Sequence, residues 1–346
     1  MIRGRIIRGL RGLRGLEAWG DAARYDADMK WSALLLCLTV IVALGGCGND
    51  AAPGSGGTSA SKTSGGTSGG PRVITFAPGL TTMTLDMGLG KHIVGVDKYS
   101  PTDRLAKELS AEALPGVVPG AGELPGVVGD FLNVQIEPML AVRPDVILIC
   151  MQLSHFDTLR QVAPDVEVVR VPLDNLADVA AAMRTIAKAC GESAVGERAA
   201  KDFEQQLADI AAMTKNLPKK RAMYVLGYTS PLAAGDKSFL QEMIELAGGV
   251  NVMKGEFVDW KEPSLERVLL LRPDVVVVQA SPENAAEAKA YWEDFFQSHA
   301  PGDGQHNLRA VQVEVVTDPR WTQQSGRLAG YTRELAEMLH PELKKQ

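Results

Sequence analysis

Histidine, cysteine and aromatic side chains are all scarce in this chain of 346 residues, and each shortage closes off a class of function. The five histidines, His92, His155, His299, His306 and His340, have no close ligand spacing, which argues against a site for a bare metal ion. Of the four cysteines, Cys37 and Cys47 sit in the N-terminal segment, which leaves Cys150 and Cys190. An oxidising compartment would permit them to pair. Spacing alone does not bring them within bonding distance, and two separate buried thiols are the expectation. The sequence has no Gly-x-Ser-x-Gly elbow, no phosphate-cradling glycine loop and no Cys–His arrangement, so it does not read as an enzyme. It also has no apolar run of the roughly 20 residues that a membrane-spanning helix needs.

The longest uncharged apolar stretch, Trp31 to Leu44, follows Lys30 and a Gly-rich run with Arg3, Arg5, Arg8, Arg11 and Arg14. A basic segment before a short apolar core reads as an export signal. It closes on Leu44-Gly45-Gly46-Cys47, which resembles a bacterial lipobox, with Cys47 as the acylated residue. An ordinary secretory signal and a membrane anchor are the alternatives. Met29 begins a complete signal by itself, so the start of translation stays open. From Gly48 to Pro71 the chain is nearly all Gly, Ser, Thr, Ala and Asn. That composition buries too little apolar surface to offset its ordering entropy and reads as a flexible tether. Stable attachment calls for more than one acyl chain on Cys47. Seven basic and four acidic residues precede Cys47, so the remainder carries 29 against 38 and a net charge of −9. An acidic surface argues against nucleic acid as a partner.

Beyond the tether, short Val- and Ile-rich runs alternate with helix-length patterns. Strands are expected at Arg72–Ala77, His92–Val96, Val146–Cys150, Val166–Val171, Ala222–Leu226, Val275–Gln279 and Ala310–Val316. Most lack in/out alternation, as strands covered on both faces do. The class is α/β with mainly parallel sheets. Ile136–Ile149 (IEPMLAVRPDVILI) aligns without gaps on Leu265–Val278 (LERVLLLRPDVVVV), with six of 14 positions identical. Phe131 and Trp260 precede Glu137 and Glu266 by the same six residues. Such a repeat implies two similar Rossmann-like lobes. Helix-forming sequence runs from Leu176 to Leu217 with a break at Gly191, and Pro218 ends it. The expected layout is a signal region over 1–46, lipidated Cys47 and linker over 47–71, and an N-terminal lobe over 72–190. A single connecting helix over 191–218 then leads to a C-terminal lobe over 219–346. One rigid connector limits closure of the lobes. Asp145 and Asp274 read as turn residues after proline, and Gly248-Gly249 as a helix cap and turn.

Four landmarks in this order resemble the substrate-binding proteins of ABC importers for iron chelates and vitamin B12. They are RVITFAPGLTTMTLDMGLGKHIVGVDKYS (Arg72–Ser100), NVQIEPMLAVRPDVIL (Asn133–Leu148), FLQEMIELAGGVNVM (Phe239–Met253) and LERVLLLRPDVVVV. The resemblance covers roughly Arg72 to His340. It implies two lobes on one backbone helix, a ligand held between them, and no cofactor beyond that ligand. It also implies that Glu137 and Glu266, one per lobe, dock on arginines of a permease dimer. The first turn of a helix favours a carboxylate in any case, so stability alone is the competing reason for either residue. Loops after strands line such clefts, which nominates Pro78, Gly79, Tyr99, Phe131, Gln152, Tyr228, Trp260, Arg320 and Trp321. Aromatic walls suit large planar ligands. Arg320 and Arg327 are candidates for a ligand carboxylate or phosphate, with a surface ion pair as the other reading. A ferric siderophore, cobalamin and haem all remain open as the chelate, and a non-transport sensor or binding module on the same fold is the alternative function. The expected location is periplasmic or cell-surface, lipid-anchored.

Overall fold

A computed structural model describes residues 70–105, 126–130, 134–299 and 308–345, all within one compact unit, Thr67–Gln346. The signal region, Cys47, most of the linker, Phe131 and His306 lie outside the described residues.

All seven expected strands form. In chain order the first sheet contains β1 (Val73–Phe76), β2 (Ile93–Val96), β3 (Gly126–Val127), β4 (Val146–Ile149) and β5 (Glu167–Arg170). Its spatial order is β3-β2-β1-β4-β5, and every pairing is parallel. The second sheet has a parallel core of β10 (Gln312–Val316), β9 (Val275–Gln279) and β6 (Lys220–Leu226). Three short strands were missed in the sequence: β3 in the first sheet, and two that attach to β6, β7 (Leu232–Ala233) antiparallel and β8 (Gly249–Asn251) parallel. Strands of two or three residues carry too little periodicity to be read. β1, β2, β4 and β9 are buried at every position, as their unalternating sequences require.

Helices cover the sheets. The first lobe has α1 (Pro78–Asp86), α2 (Ile136–Ala141) and α3 (Asp157–Val162). Then come α4 (Leu176–Ala189) and α5 (Ser193–Thr214). The second lobe has α6 (Phe239–Leu246), α7 (Leu265–Leu271), α8 (Ala285–Ser298) and α9 (Leu328–Leu339). The connector expected over 191–218 is therefore one arm of a helical hairpin, with α4 packed along it. Asn175 caps α4 by accepting from the Asp178 N–H at 2.8 Å.

One apolar cluster runs through both lobes. It joins Val73 and Leu148 of the first sheet to Val179 and Ile186 of α4, then to Ala200, Phe203 and Ile210 of α5. From there it continues to Tyr224, Val277, Leu335 and Leu339 of the second lobe. Each sheet packs its other face separately. Ile74, Phe76, Ile147 and Ile149 lie against Met139 and Phe156, while Met223, Val225, Val276 and Val278 lie against Trp292 and Phe296. Full burial of a Val or Ile side chain contributes about 1.5–3 kcal/mol, so this continuous cluster is the main bond between the lobes.

The hairpin crosses closely at Gly196. A Cβ there would lie 2.5 Å from Ala187 Cβ and 2.7 Å from the Met183 carbonyl oxygen. Alanine gains about 1 kcal/mol over glycine in a helix interior, but here it must push two helices apart. Gly196→Ala is expected to lower stability by about 1–3 kcal/mol, read as a lower urea midpoint with an unchanged slope. An unchanged or raised midpoint would show that the crossing is looser than described.

Candidate functional site

The repeat seen in the sequence is a repeat in three dimensions. α2 runs into β4 and α7 into β9 through Arg143 and Arg272, both at φ 47° in the left-handed region. A second arginine braces each unit. At the start of β1, the Arg72 N–H donates to Asp145 Oδ2 at 2.8 Å, its Nε to the Arg143 carbonyl at 3.0 Å and its Nη2 to the Val142 carbonyl at 2.8 Å. In β6, the Arg221 N–H donates to Asp274 Oδ2 at 2.8 Å, its Nε to the Arg272 carbonyl at 3.1 Å and its Nη2 to the Leu271 carbonyl. Each guanidinium thus satisfies carbonyls left open at the end of a short helix. Asp145 and Asp274 are turn residues, as expected, and also anchors. The braced helices carry Glu137 and Glu266 in their first turns, both exposed.

The C-terminal ends of the parallel strands form the rim where the cleft residues were expected. Across the first sheet this rim carries Tyr99 after β2, Pro78 after β1 and Gln152 after β4. Pro78 opens α1, where its missing N–H costs nothing. Gln152 is exposed and Tyr99 half-buried. Tyr99 is held from behind: its N–H donates to Asp97 Oδ1 at 2.8 Å, and Lys98 Nζ sits 4.8 Å from its ring centroid. Asp97 is fully buried and also accepts from the Ser100 hydroxyl. The Thr81 hydroxyl lies 2.7 Å from those of both Ser100 and Thr75. Burial pushes the Asp97 carboxyl above its usual range, against the lowering effect of the Ser100 and Tyr99 hydrogen bonds.

On the second lobe Tyr228 is half-buried after β6 and packs on Tyr291 at 5.9 Å between centroids. Burial, then its hydrogen bond to Glu287, raises its phenol. Trp260 is the half-buried outer member of an aromatic group, edge-on to Tyr224 at 6.2 Å.

Three expectations need correction. Trp321 does not line an open cleft: it is 2% exposed, stacked between Tyr224 at 6.1 Å and Tyr331 at 5.0 Å. Gly79 is buried at the seam between the lobes, where a Cβ would stand 2.5 Å from the Gln324 carbonyl oxygen. Arg320 is exposed but committed, since Nε and Nη2 both bond Asp318, at 2.8 and 2.7 Å. Arg327 is likewise paired to Asp86 at 2.9 Å, and Asp86 also holds Arg104 at 2.7 Å. His155 is exposed in the short 3-10 turn Leu153–Phe156. Cys150 and Cys190 are free thiols, and burial pushes Cys190 up to about 12. Among the described residues no group of three or more His, Cys, Asp or Glu could hold a metal ion. No helix among them is long and apolar enough to cross a membrane.

The profile described as "Periplasmic binding protein" matches residues 73–321. The chain belongs to the periplasmic binding protein family, in the branch of iron-chelate and vitamin B12 binders. The vitamin B12-binding protein of Pectobacterium carotovorum is 26% identical over 226 residues, 64% of this chain and 76% of the relative. That of Pectobacterium atrosepticum is 27% identical over 228 residues, with the same coverage. Among solved structures, the vitamin B12-binding protein BtuF of Vibrio cholerae has a TM-score of 0.60 at 23% identity, covering 80% of this chain and 99% of its own. The heme-binding protein RhuT of Roseiflexus sp. RS-1 in apo form gives 0.57 at 20%, with 79% and 99% covered. These likenesses establish the periplasmic binding fold, and the family is one of binding proteins rather than enzymes.

The Asp318 knot ties this periplasmic binding protein's second lobe together below Trp321. Burial raises its carboxyl, but the hydrogen bonds from Arg320 and Tyr331 outweigh that and hold it at about 2. A carboxylate depressed in the fold stabilises above its unfolded value near 4, and the contribution fades as pH falls toward 2. Asp318→Asn is therefore expected to cost about 1–3 kcal/mol at pH 7, with the gap from wild type narrowing below pH 4 in urea titrations. A gap that stays constant from pH 7 to pH 3 would refute this account.

Proposed function

We propose that this chain is the extracytoplasmic capture component of an ABC importer, held at a membrane by lipid on Cys47. It takes a metal chelate of the tetrapyrrole or siderophore type between its lobes and presents it to a dimeric permease. The observation that carries this reading is the matched pair Glu137 and Glu266. Each is exposed in the first turn of a short helix, and each helix is closed by the same Arg–Asp brace. Two like charges on two equivalent lobes suit a partner with two-fold symmetry. Names of relatives, vitamin B12-binding and heme-binding, favour a large planar chelate. Trp260, Tyr99 and Tyr228 offer partly exposed aromatic surface at the strand ends for such a ligand.

Two outcomes test this reading. The double variant Glu137→Ala/Glu266→Ala is expected to bind chelate as the wild type does while uptake into permease-bearing vesicles falls about tenfold or more. Normal uptake at limiting chelate would remove the docking assignment. Chelate binding itself is read by tryptophan quenching with cyanocobalamin, haemin and ferric siderophores in parallel. Cys47→Ser is expected to move the protein from the membrane fraction to the soluble extracytoplasmic fraction. Retention in the membrane would rule out acylation at that residue as the anchor.

A further inference from the structure

A carboxylate taken out of water without a cation beside it is costly. Asp97 is the only acidic side chain fully buried among the described residues. Its neighbour Lys98 does not neutralise it, but pairs with Asp130 at 2.7 Å. Asp97 opens the turn that leads out of β2. Its carbonyl accepts from the Ser100 N–H at 3.2 Å, and its Oδ1 accepts from the Tyr99 N–H. An aspartate or asparagine at the start of a turn commonly makes the second of these bonds, so turn chemistry alone is the competing reason for it. Two observations go beyond what a turn requires. An asparagine would close the same turn with no charge to bury. The second carboxylate oxygen also reaches past the turn: it accepts from the Ser100 hydroxyl, which meets Thr81 of α1, which in turn meets Thr75 of β1. Asp97, Ser100, Thr81 and Thr75 are all buried. The next residue along α1, Thr82, points the other way and donates to Gln323 Oε1 across the seam at 3.3 Å. Consecutive threonines therefore bond α1 to the Tyr99 turn on one side and to the second lobe on the other.

We infer that Asp97 is a positioning residue of the ligand site: it fixes the Tyr99 turn to β1 and α1, and through α1 sets where Tyr99 stands relative to the second lobe. This rests on the chelate-binding reading above and deepens it. Asp97 is too deeply buried to touch a ligand itself. It acts by holding the backbone N–H of a half-buried aromatic residue at the strand ends. A turn fixed in advance spares the chelate the cost of ordering it. Without the carboxylate, the Tyr99 N–H and the Ser100 hydroxyl lose their acceptor, and that ordering falls on the binding step.

The test is a double-mutant cycle on affinity, read by tryptophan quenching with cyanocobalamin, haemin and a ferric hydroxamate siderophore. For whichever of the three binds the wild type most tightly, Asp97→Ala is expected to weaken binding about tenfold. Asp97→Asn should restore most of the loss, because its carbonyl oxygen still accepts from the Tyr99 N–H. In a Tyr99→Ala background, Asp97→Ala should change affinity by less than about twofold, since no ring is left to position. Equal losses in the two backgrounds, an equal loss in Asp97→Asn, or wild-type affinity in either Asp97→Ala or Tyr99→Ala would overturn the assignment while leaving chelate binding standing. Should Asp97→Ala fail to fold, Ser100→Ala replaces it in the cycle. That variant cuts the link to α1 and is expected to show the same dependence on Tyr99, and additive losses would overturn the assignment. Binding of none of the three chelates by the wild type would overturn both readings.

Discussion

The relation between the two lobes depends on the close crossing of α4 and α5. That crossing carries a single apolar core from β1, through Phe203 and Ile210, to Tyr224 and Leu335. Moving one lobe against the other would tear this cluster, whereas flexible connecting strands would let lobes swing freely. The polar contacts at the seam are secondary: Asp86 with Arg327, Thr82 with Gln323 at 3.3 Å, and the Leu176 N–H with Glu242 at 2.9 Å. Partly exposed ion pairs contribute about 0–1 kcal/mol each. They fix orientation within a geometry the core has already set. Recognition in such a molecule relies on a surface shaped before the ligand arrives.

A rigid spine also gives meaning to the paired braces. Two carboxylates can meet a symmetric partner together only if their separation holds. α2 and α7 are short and, alone, far below the length at which helices persist in water. Arg72 and Arg221 tie their ends to the central strands of each sheet, and the left-handed turns at Arg143 and Arg272 aim the chain from helix into strand. The charge pattern outside is thereby coupled to the core inside.

Much of this was legible in the sequence, and the reasons are specific. Runs such as Val275-Val276-Val277-Val278 allow few readings other than a strand covered on both faces. The repeat was visible because Arg, Pro and Asp are demanded by one turn in both lobes. The braces were not, because Arg72 and Arg221 stand at different distances from their aspartates and no gapless alignment can pair them. Trp321 was misplaced because an aromatic after a strand end looks the same whether it faces a cleft or stacks on Tyr224. Arg320 and Arg327 stayed open between a ligand contact and an ion pair, because their partners Asp318 and Asp86 are identified only by the fold.

The chain joins the folded unit through Gly70 and Pro71, which lie against His92 and beside Gly191 at the N-terminal end of β1. In a parallel sheet that end is opposite the strand ends where Tyr99, Gln152 and Arg170 lie. Helices that run back between such strands begin beside the strand ends, so Glu137 and Glu266, in the first turns of α2 and α7, stand on that side too. With the anchor proposed at Cys47, the leash would be fastened to the heel while the working face is at the toe. A compact unit of this size is about 50 Å across. The residues from Gly48 to Pro71, drawn out fully, span at most about 80 Å. That is enough slack for the domain to turn over and meet a membrane-embedded partner face-down, and a much shorter leash would leave it facing away.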